Sequence, residues 1–269
     1  MRTYGRTAAG VVIVLVLLFP LYWMVNASFQ PSGALLSPEP ALLPFGGTTA
    51  GYREALANQG PHLVSSLIVA LGTVLVSLAV AMPAAYALAQ LRMRGGPAVI
   101  FLLLIVQMIP GIVMANSLYT VFSNLGLIDS YLGLVLADST ATIPFAILVL
   151  RAFLISIPKE LSEAARVDGA GYWRTFVSVI VPVSRNAMVT AGLFSFLFAW
   201  ADFLFAVTLT TGGVFQPVTV GIYRFVGNNS INWNSIMATA VLASVPAAIL
   251  LVIAQRYVVA GLTAGAVKD

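Results

Sequence analysis

Residues 63–90 read LVSSLIVALGTVLVSLAVAMPAAYALAQ, a run of 28 positions without one charged side chain. A helix rises about 1.5 Å per residue and the hydrocarbon core of a bilayer is about 30 Å thick, so a run this long crosses the membrane as a helix. Lipid offers the backbone no hydrogen-bonding partner, which excludes irregular chain, and a β-barrel would instead show short strands of alternating polarity. The run lies inside a charge-free window from Ala55 to Leu91, and similar windows extend from Thr7 to Pro38, Gly95 to Ile128 and Phe225 to Gln255. Two further apolar stretches, near 130–150 and 186–210, are each interrupted by a single acid, Asp138 and Asp202. Trimming at glycine, proline and polar clusters gives six predicted spans near 8–28, 63–90, 97–121, 131–152, 187–210 and 236–256. The expected fold is all-α and polytopic, one transmembrane domain over residues 1–269.

Composition agrees. Of 269 residues 60% are hydrophobic and 8% charged, against about 25% charged in a soluble domain. That leaves too little polar surface for a water-facing globule and too much apolar surface for disorder. Cysteine is absent and His62 is the single histidine, which excludes thiolate sites and leaves little for zinc. His62 falls at the outer edge of a span and reads as an interfacial side chain. The 13 basic residues form no patch suited to nucleic acid; they report orientation instead. With both termini inside, 11 of them (Arg2, Arg6, Arg92, Arg94, Arg151, Lys159, Arg166, Arg174, Arg185, Arg256 and Lys268) fall on the cytoplasmic side, against Arg53 and Arg224 outside. The two sets alternate loop by loop, as six spans require.

The first span is longer than the core of a cleavable signal peptide and reads as a retained helix. Asn26-Ala27-Ser28 matches a glycosylation triplet at a membrane boundary and reads as chance. Gly72, Ser77, Gly111, Gly133 and Gly192 read as close-packing positions between helices, and Pro83, Pro110, Pro144 and Pro246 as kinks. A phosphate-cradling loop would need a lysine after its glycines, but the only lysines, Lys159 and Lys268, follow no such loop. The chain therefore holds no nucleotide in that manner, and function must lie in its loops and in the path between helices.

The longest interior connection, 153–186, reads FLISIPKELSEAARVDGAGYWRTFVSVIVPVSRN. Pro158 suits a first helical turn, Ser162 to Asp168 supplies helix formers around Ala164 and Ala165, and Gly169 is able to take the left-handed conformation that ends a helix. Tyr172, Trp173 and Phe176 follow at a spacing suited to one helical face. Spacing leaves two readings open: a surface docked by another protein, or a helix lying along lipid headgroups.

Glu163-Ala164-Ala165, then Gly169, then Val179-Ile180-Val181-Pro182, resembles the EAA loop of ABC importer permeases, with valines at the usual isoleucine and leucine positions. Ile157-Pro158, Asp168-Gly169, Met108-Ile109-Pro110, Pro144-Phe145, Trp200-Ala201-Asp202-Phe203 and the tail from Val259 to Lys268 are similar to the carbohydrate-uptake class, and the likeness runs through nearly the whole chain. It is most similar to the second, six-helix permease subunit of maltose-type sugar importers. The resemblance implies a coupling helix between spans four and five, gripped by a cytoplasmic ATPase, with Glu163, Ala164, Ala165 and Gly169 at the contact and Arg166, Asp168 and Tyr172 behind them. It implies a second permease subunit as heterodimer partner, two ATP-binding subunits carrying ATP and Mg, and an extracellular solute-binding (lipo)protein. No cofactor is expected on this chain, no nucleic acid, and no covalent reaction. Membrane lipid surrounds it in the cell membrane.

Outside, the segment 29–62 is proline-rich with a possible short helix at Tyr52–Asn58, and 211–235 is turn-rich. The resemblance implies that Gly212, Gly213 and Gln216 reach the binding protein. An acid inside a span faces protein or water, and a functional reading places Asp202, with Trp200 and Phe203, near the translocation path, where an aromatic plane stacks on a sugar ring; the alternative for Asp202, and for Asp138, is helix-to-helix hydrogen bonding. The expected cargo is a sugar, oligosaccharide or polyol. A secondary transporter driven by an ion gradient is the alternative, but such proteins show inverted repeats with broken helices, and no convincing repeat is visible here. Gly169→Asp or Ala164→Asp is expected to abolish uptake while the protein stays in the membrane; normal ATPase-coupled transport in either variant would defeat the coupling assignment.

Overall fold

The computed structural model describes residues 2–266 except 32, 34, 36, 38–40, 45, 92, 214 and 229–231. Helix α1 runs Arg2–Phe29, α2 Ala50–Gln90, α3 Gly96–Gln107, α4 Gly111–Leu125 and α5 Tyr131–Ile155. Then come α6 Lys159–Val167, α7 Tyr172–Thr175, a π-helical turn at Phe176–Ile180, α8 Val181–Val183, α9 Arg185–Ala201, α10 Leu204–Leu209, α11 Val218–Asn228 and α12 Trp233–Ala266. No strand occurs among the described residues. Pro38, Pro40, Arg92 and Lys268, used in the sequence argument, lie outside the described residues.

Helices α1, α2, α5 and α12 are each long and apolar enough to span alone. The third expected span, 97–121, is broken: α3 and α4 meet at 95° across Met108-Ile109-Pro110. Pro110 has no N–H to donate to the turn before it, and Gly111 gives the corner room, since a Cβ there would sit 3.1 Å from Leu204 Cδ2. The fifth, 187–210, is likewise discontinuous. Its entry bends by 77° between α7–α8 and α9, next to a π-turn ahead of Pro182, and its exit stops at Ala201. Pro83, Pro144 and Pro246 instead lie within unbroken helices. The exterior helix anticipated at Tyr52–Asn58 exists as the first turns of α2. Much of the outer segment 211–235, read as turn-rich linker, is helix α11.

Contacts within the chain divide it into two compact units, residues 1–63 with 220–246 and residues 64–219 with 247–269. In the first unit α1 exposes its apolar length and is fastened at its end. Asn26 Nδ2 and Gln30 Nε2 both donate to the Ala41 carbonyl (2.9 and 2.7 Å), and Ser28 Oγ meets Tyr52 OH at 2.7 Å. Asn26 is therefore buried and committed, which agrees with reading its triplet as chance. At the other edge of this unit Glu54 accepts from Ser235 Oγ at 2.6 Å.

The second unit is built around α2, α5 and α9. Ala81, Met82, Ala85 and Tyr86 of α2 pack with Ala146, Ile147, Leu150 and Leu154 of α5, with Phe176 and Ile180 of the π-turn, and with Ala187 and Ala191 of α9. Small residues set the approach. A Cβ on Gly72 would fall 2.8 Å from Val135 Cγ2, one on Gly192 3.3 Å from Leu78 Cδ1, and Ser77 Oγ lies 2.6 Å from Thr142 Oγ1. Gly133 differs from expectation. It closes on the Leu127 carbonyl of its own preceding turn, where Ser130 Oγ caps α5 by accepting from Gly133 N at 3.0 Å. The tight spot is local, not between helices.

Gly72→Val is expected to overpack the α2–α5 seam and cost about 1–3 kcal/mol, read as a lowered Tm of the detergent-solubilised protein. Gly60→Ala on the same helix, where nothing lies within 4 Å, is expected to leave Tm unchanged or slightly raised. Equal behaviour of the two variants would refute close packing at Gly72.

Candidate functional site

The connection after α5 forms the helix the sequence suggested. Pro158 precedes α6 in an extended conformation, and Gly169 terminates it at φ +83°. Ala170 N donates to Ala165 O at 2.9 Å and Gly169 N to Arg166 O at 3.0 Å, the paired bonds of a Schellman closure. Without a Cβ, Gly169 adopts this left-handed geometry freely.

Helix α6 is two-faced. Lys159, Ser162, Glu163 and Arg166, spaced i, i+3, i+4 and i+7, line a cavity of about 480 Å³ together with Tyr86, Gln90, Tyr172 and Thr175. Glu160, Leu161, Ala164, Val167 and Asp168 are exposed, and Ala165 is half-buried. The expected coupling residues are thus split: Ala164, Asp168 and Gly169 are exposed, while Glu163 and Arg166, though accessible, also line the inner cavity. Arg166 sits over the Tyr172 ring at 5.5 Å and reaches its hydroxyl at 3.4 Å. Val167, an apolar side chain beside the acid that ends the helix, is 88% exposed. The three aromatics differ in exposure: Tyr172 and Trp173 are exposed, whereas Phe176 is buried, with its ring centroid 5.4 Å from Tyr86 and 5.5 Å from Trp173.

A residue that the sequence reading passed over anchors this segment. Gln90, the last residue of α2, donates its amide to the carbonyls of Leu154 (2.7 Å) and Ile157 (3.0 Å). These lie at the end of α5 and in the turn before α6. Carbonyls at a helix terminus have no intrahelical donor, so the bonds fasten the root of α6 to α2 as well as to α5.

A second cavity, of about 580 Å³, lies among α3, α4, α5, α9 and α10. Phe145, Phe194 and Phe198 form an aromatic wall, the first two edge-to-face at 5.3 Å, and Gln107, Thr140, Thr142, Ser195 and Asp202 add polar edges. Of the three expected path residues, Asp202 lines this cavity. Its carboxylate also accepts from the backbone N–H groups of Phe205 (3.3 Å) and Ala206 (2.9 Å), capping α10 where the fifth span breaks. Trp200 is buried, stacked on Phe196 at 5.5 Å, and Phe203 lies off the cavity wall. The spacing of Phe194 and Phe198, i and i+4, was the available signal for the wall. Asp138 is fully buried, and neither carboxylate oxygen has a hydrogen-bond partner among the described residues.

At the loop after α10, Asp129 holds the chain. Its carboxylate accepts from Gly212 N at 2.8 Å and Thr211 Oγ1 at 3.4 Å, and Phe215 stacks on Tyr131 at 4.1 Å. Gly212 and Gly213 are exposed, the latter at φ +73°, whereas Gln216 is buried, so only the two glycines of the expected trio present themselves at the surface.

Broken spans that open a cavity, and a capped helix standing off the end of α5, are the parts of a membrane transport subunit. Residues 79–264 match the family of binding-protein-dependent transport system inner membrane components, and the chain belongs to that family. It is similar to the permease protein DasC of the diacetylchitobiose uptake system of Streptomyces coelicolor, 33% identical over 98% of each chain. The trehalose/maltose permease protein MalG of Thermococcus litoralis is 31% identical over 96% of this chain and 94% of that one. In fold it is similar to a chain of a bacterial ABC transporter involved in import of the acidic polysaccharide alginate, with a TM-score of 0.81, 23% identity, and 95% and 96% of the two chains covered. The protein is a multi-pass membrane component of an ABC transport system.

Replacing Gly169 by Ala strains the left-handed closure by about 1–2 kcal/mol, which is expected to speed amide exchange through the last turn of α6 by roughly fivefold or more. Gly169→Asn is expected to change it less, since Asn tolerates this region. Hydrogen exchange that is the same in Gly169→Ala and the parent would show that the closure does not hold α6.

Proposed function

We propose that this chain is one permease subunit of an ATP-driven importer that takes up a sugar or sugar-like solute delivered by an extracellular binding protein. Family membership supports the general mechanism, and the observation that carries the role of this chain is α6, a short helix closed at Gly169 and exposed along one face, with Ala164 at its middle. Ala164, with no side chain beyond Cβ, and the backbone at Gly169 let another protein approach closely; Val167 adds an apolar contact and Asp168 a charged one. Glu163, Ala165, Arg166 and Tyr172 complete the coupling surface from behind. The Gln90 latch supplies the route inward, because a displacement of α6 pulls on α2 and α5 together. Packed helices respond to such a pull by rigid rotation, switching the central cavity between its two openings.

In this reading the chain acts as one transmembrane domain with both termini and α6 on the cytosolic side. It pairs with a second permease, and two ATPase subunits bind ATP and Mg and carry out hydrolysis. A sugar offers an apolar face of C–H groups and an edge of hydroxyls. The wall of Phe145, Phe194 and Phe198 suits the first, and Thr140, Thr142 and the Asp202 carboxylate suit the second. Two similar proteins point the same way, being named for diacetylchitobiose and trehalose/maltose. On the outer side Gly212 and Gly213, held by Asp129, form the contact for the binding protein.

In proteoliposomes containing the complex and its binding protein, uptake of a labelled disaccharide is expected to need internal ATP and to persist when an ionophore collapses the ion gradients. Uptake that survives ATP depletion and stops with the ionophore would overturn the reading in favour of a gradient-driven transporter.

A further inference from the structure

The cavity behind α6 has chemistry that coupling to an ATPase does not use. It adjoins a second, smaller cavity of about 240 Å³, and Gln90, Leu91 and Lys159 belong to the walls of both. Together the walls carry three cations, Arg151, Lys159 and Arg166, against one acid, Glu163.

Unused donors converge on the same walls. Thr175 is 1% exposed and its Oγ1 has no hydrogen-bond partner; Ser162 Oγ and Arg151 Nε are buried and also unpartnered. An unmade buried hydrogen bond is costly, and these three belong to residues around connected space. Helix α6 begins at Lys159 with no side-chain cap, and its positive end adds to the attraction for an anion.

The other side of the smaller cavity is apolar. Leu88, Met93, Pro97 and Ile100 line it, and from there α3 exposes Phe101, Leu102 and Ile105 along the length that the sequence assigns to the bilayer. An occupant with an anionic head and hydrocarbon tails satisfies both halves. A soluble phosphate satisfies only the first.

We propose that the paired cavities between α6 and the α2–α3 turn are a binding site for an anionic phospholipid, its phosphate held by Arg151, Lys159, Ser162 and Thr175 and its acyl chains laid along α3. Basic pockets between spans at a membrane surface are suited to such headgroups. The site shares the inner face of α6 and leaves the outer face free, so lipid and ATPase bind the helix from opposite sides.

The test is native mass spectrometry of the full-length protein in neutral detergent, titrated with phosphatidylglycerol or phosphatidylcholine. Phosphatidylglycerol is expected to be retained in preference. Each surface cation contributes about 1 kcal/mol to such binding, so Arg151→Gln with Lys159→Gln is expected to weaken it by roughly 25-fold. Ser162→Ala with Thr175→Val, near-isosteric changes that keep the fold, is expected to weaken phosphatidylglycerol binding while raising Tm in phosphatidylcholine, where the hydroxyls stay unpartnered. Equal retention of the two lipids, or undiminished phosphatidylglycerol binding in the hydroxyl variant, would overturn the proposal. Displacement of the lipid by millimolar inorganic phosphate would overturn it too, by assigning the cavities to a soluble anion.

Discussion

In hydrocarbon a backbone amide has no water to turn to, and three places where this chain leaves the regular helix show how that constraint is met. At the end of α9 the freed N–H groups of Phe205 and Ala206 are taken by the Asp202 carboxylate. At the end of α5 the carbonyls of Leu154 and Ile157 are taken by the Gln90 amide. At the corner between α3 and α4, proline supplies no N–H in need of a partner. At the ends of α9 and α5 the freed groups are met within the protein; the cavity opens at two of these three places and α6 departs from the third.

The placement of polar side chains follows the same logic. Asp202 costs the membrane less than a bare acid would, since it spends both oxygens on a helix terminus while facing a cavity. Gln90 stands at the end of an apolar helix, where an amide reads as ordinary interfacial polarity. Its partners, 64 and 67 residues further along the chain, make it a structural tie. Through that tie the short α6 is attached at its root to two long helices.

Helix α6 also shows how one short segment serves two surroundings. One face, with Glu160, Leu161, Ala164, Val167 and Asp168, is exposed, and the other, with Lys159, Ser162, Glu163 and Arg166, lines a cavity. An amphipathic helix at a membrane surface normally sorts polar from apolar. Here both faces carry charge, and they differ in what they adjoin.

Much of this was legible in the sequence because it follows from local rules. Absence of charge over 63–90 dictates a span, and the order Pro158, Ala164-Ala165, Gly169 dictates a short capped helix. The basic residues and the EAA-like spacing pointed to the family. What the linear chain did not carry is which side chains meet across helices. That Phe145 joins Phe194 and Phe198 at a cavity while Trp200 turns to Phe196, that Gly133 is tight against its own turn, and that Gln216 is buried beside an exposed Gly213 depend on rotation about helix axes and on corners of 95° and 77°. Composition sets how long a helix is and where it stops; the packing of its neighbours sets which way it faces, and in a chain apolar on nearly every side only tertiary contact makes that choice.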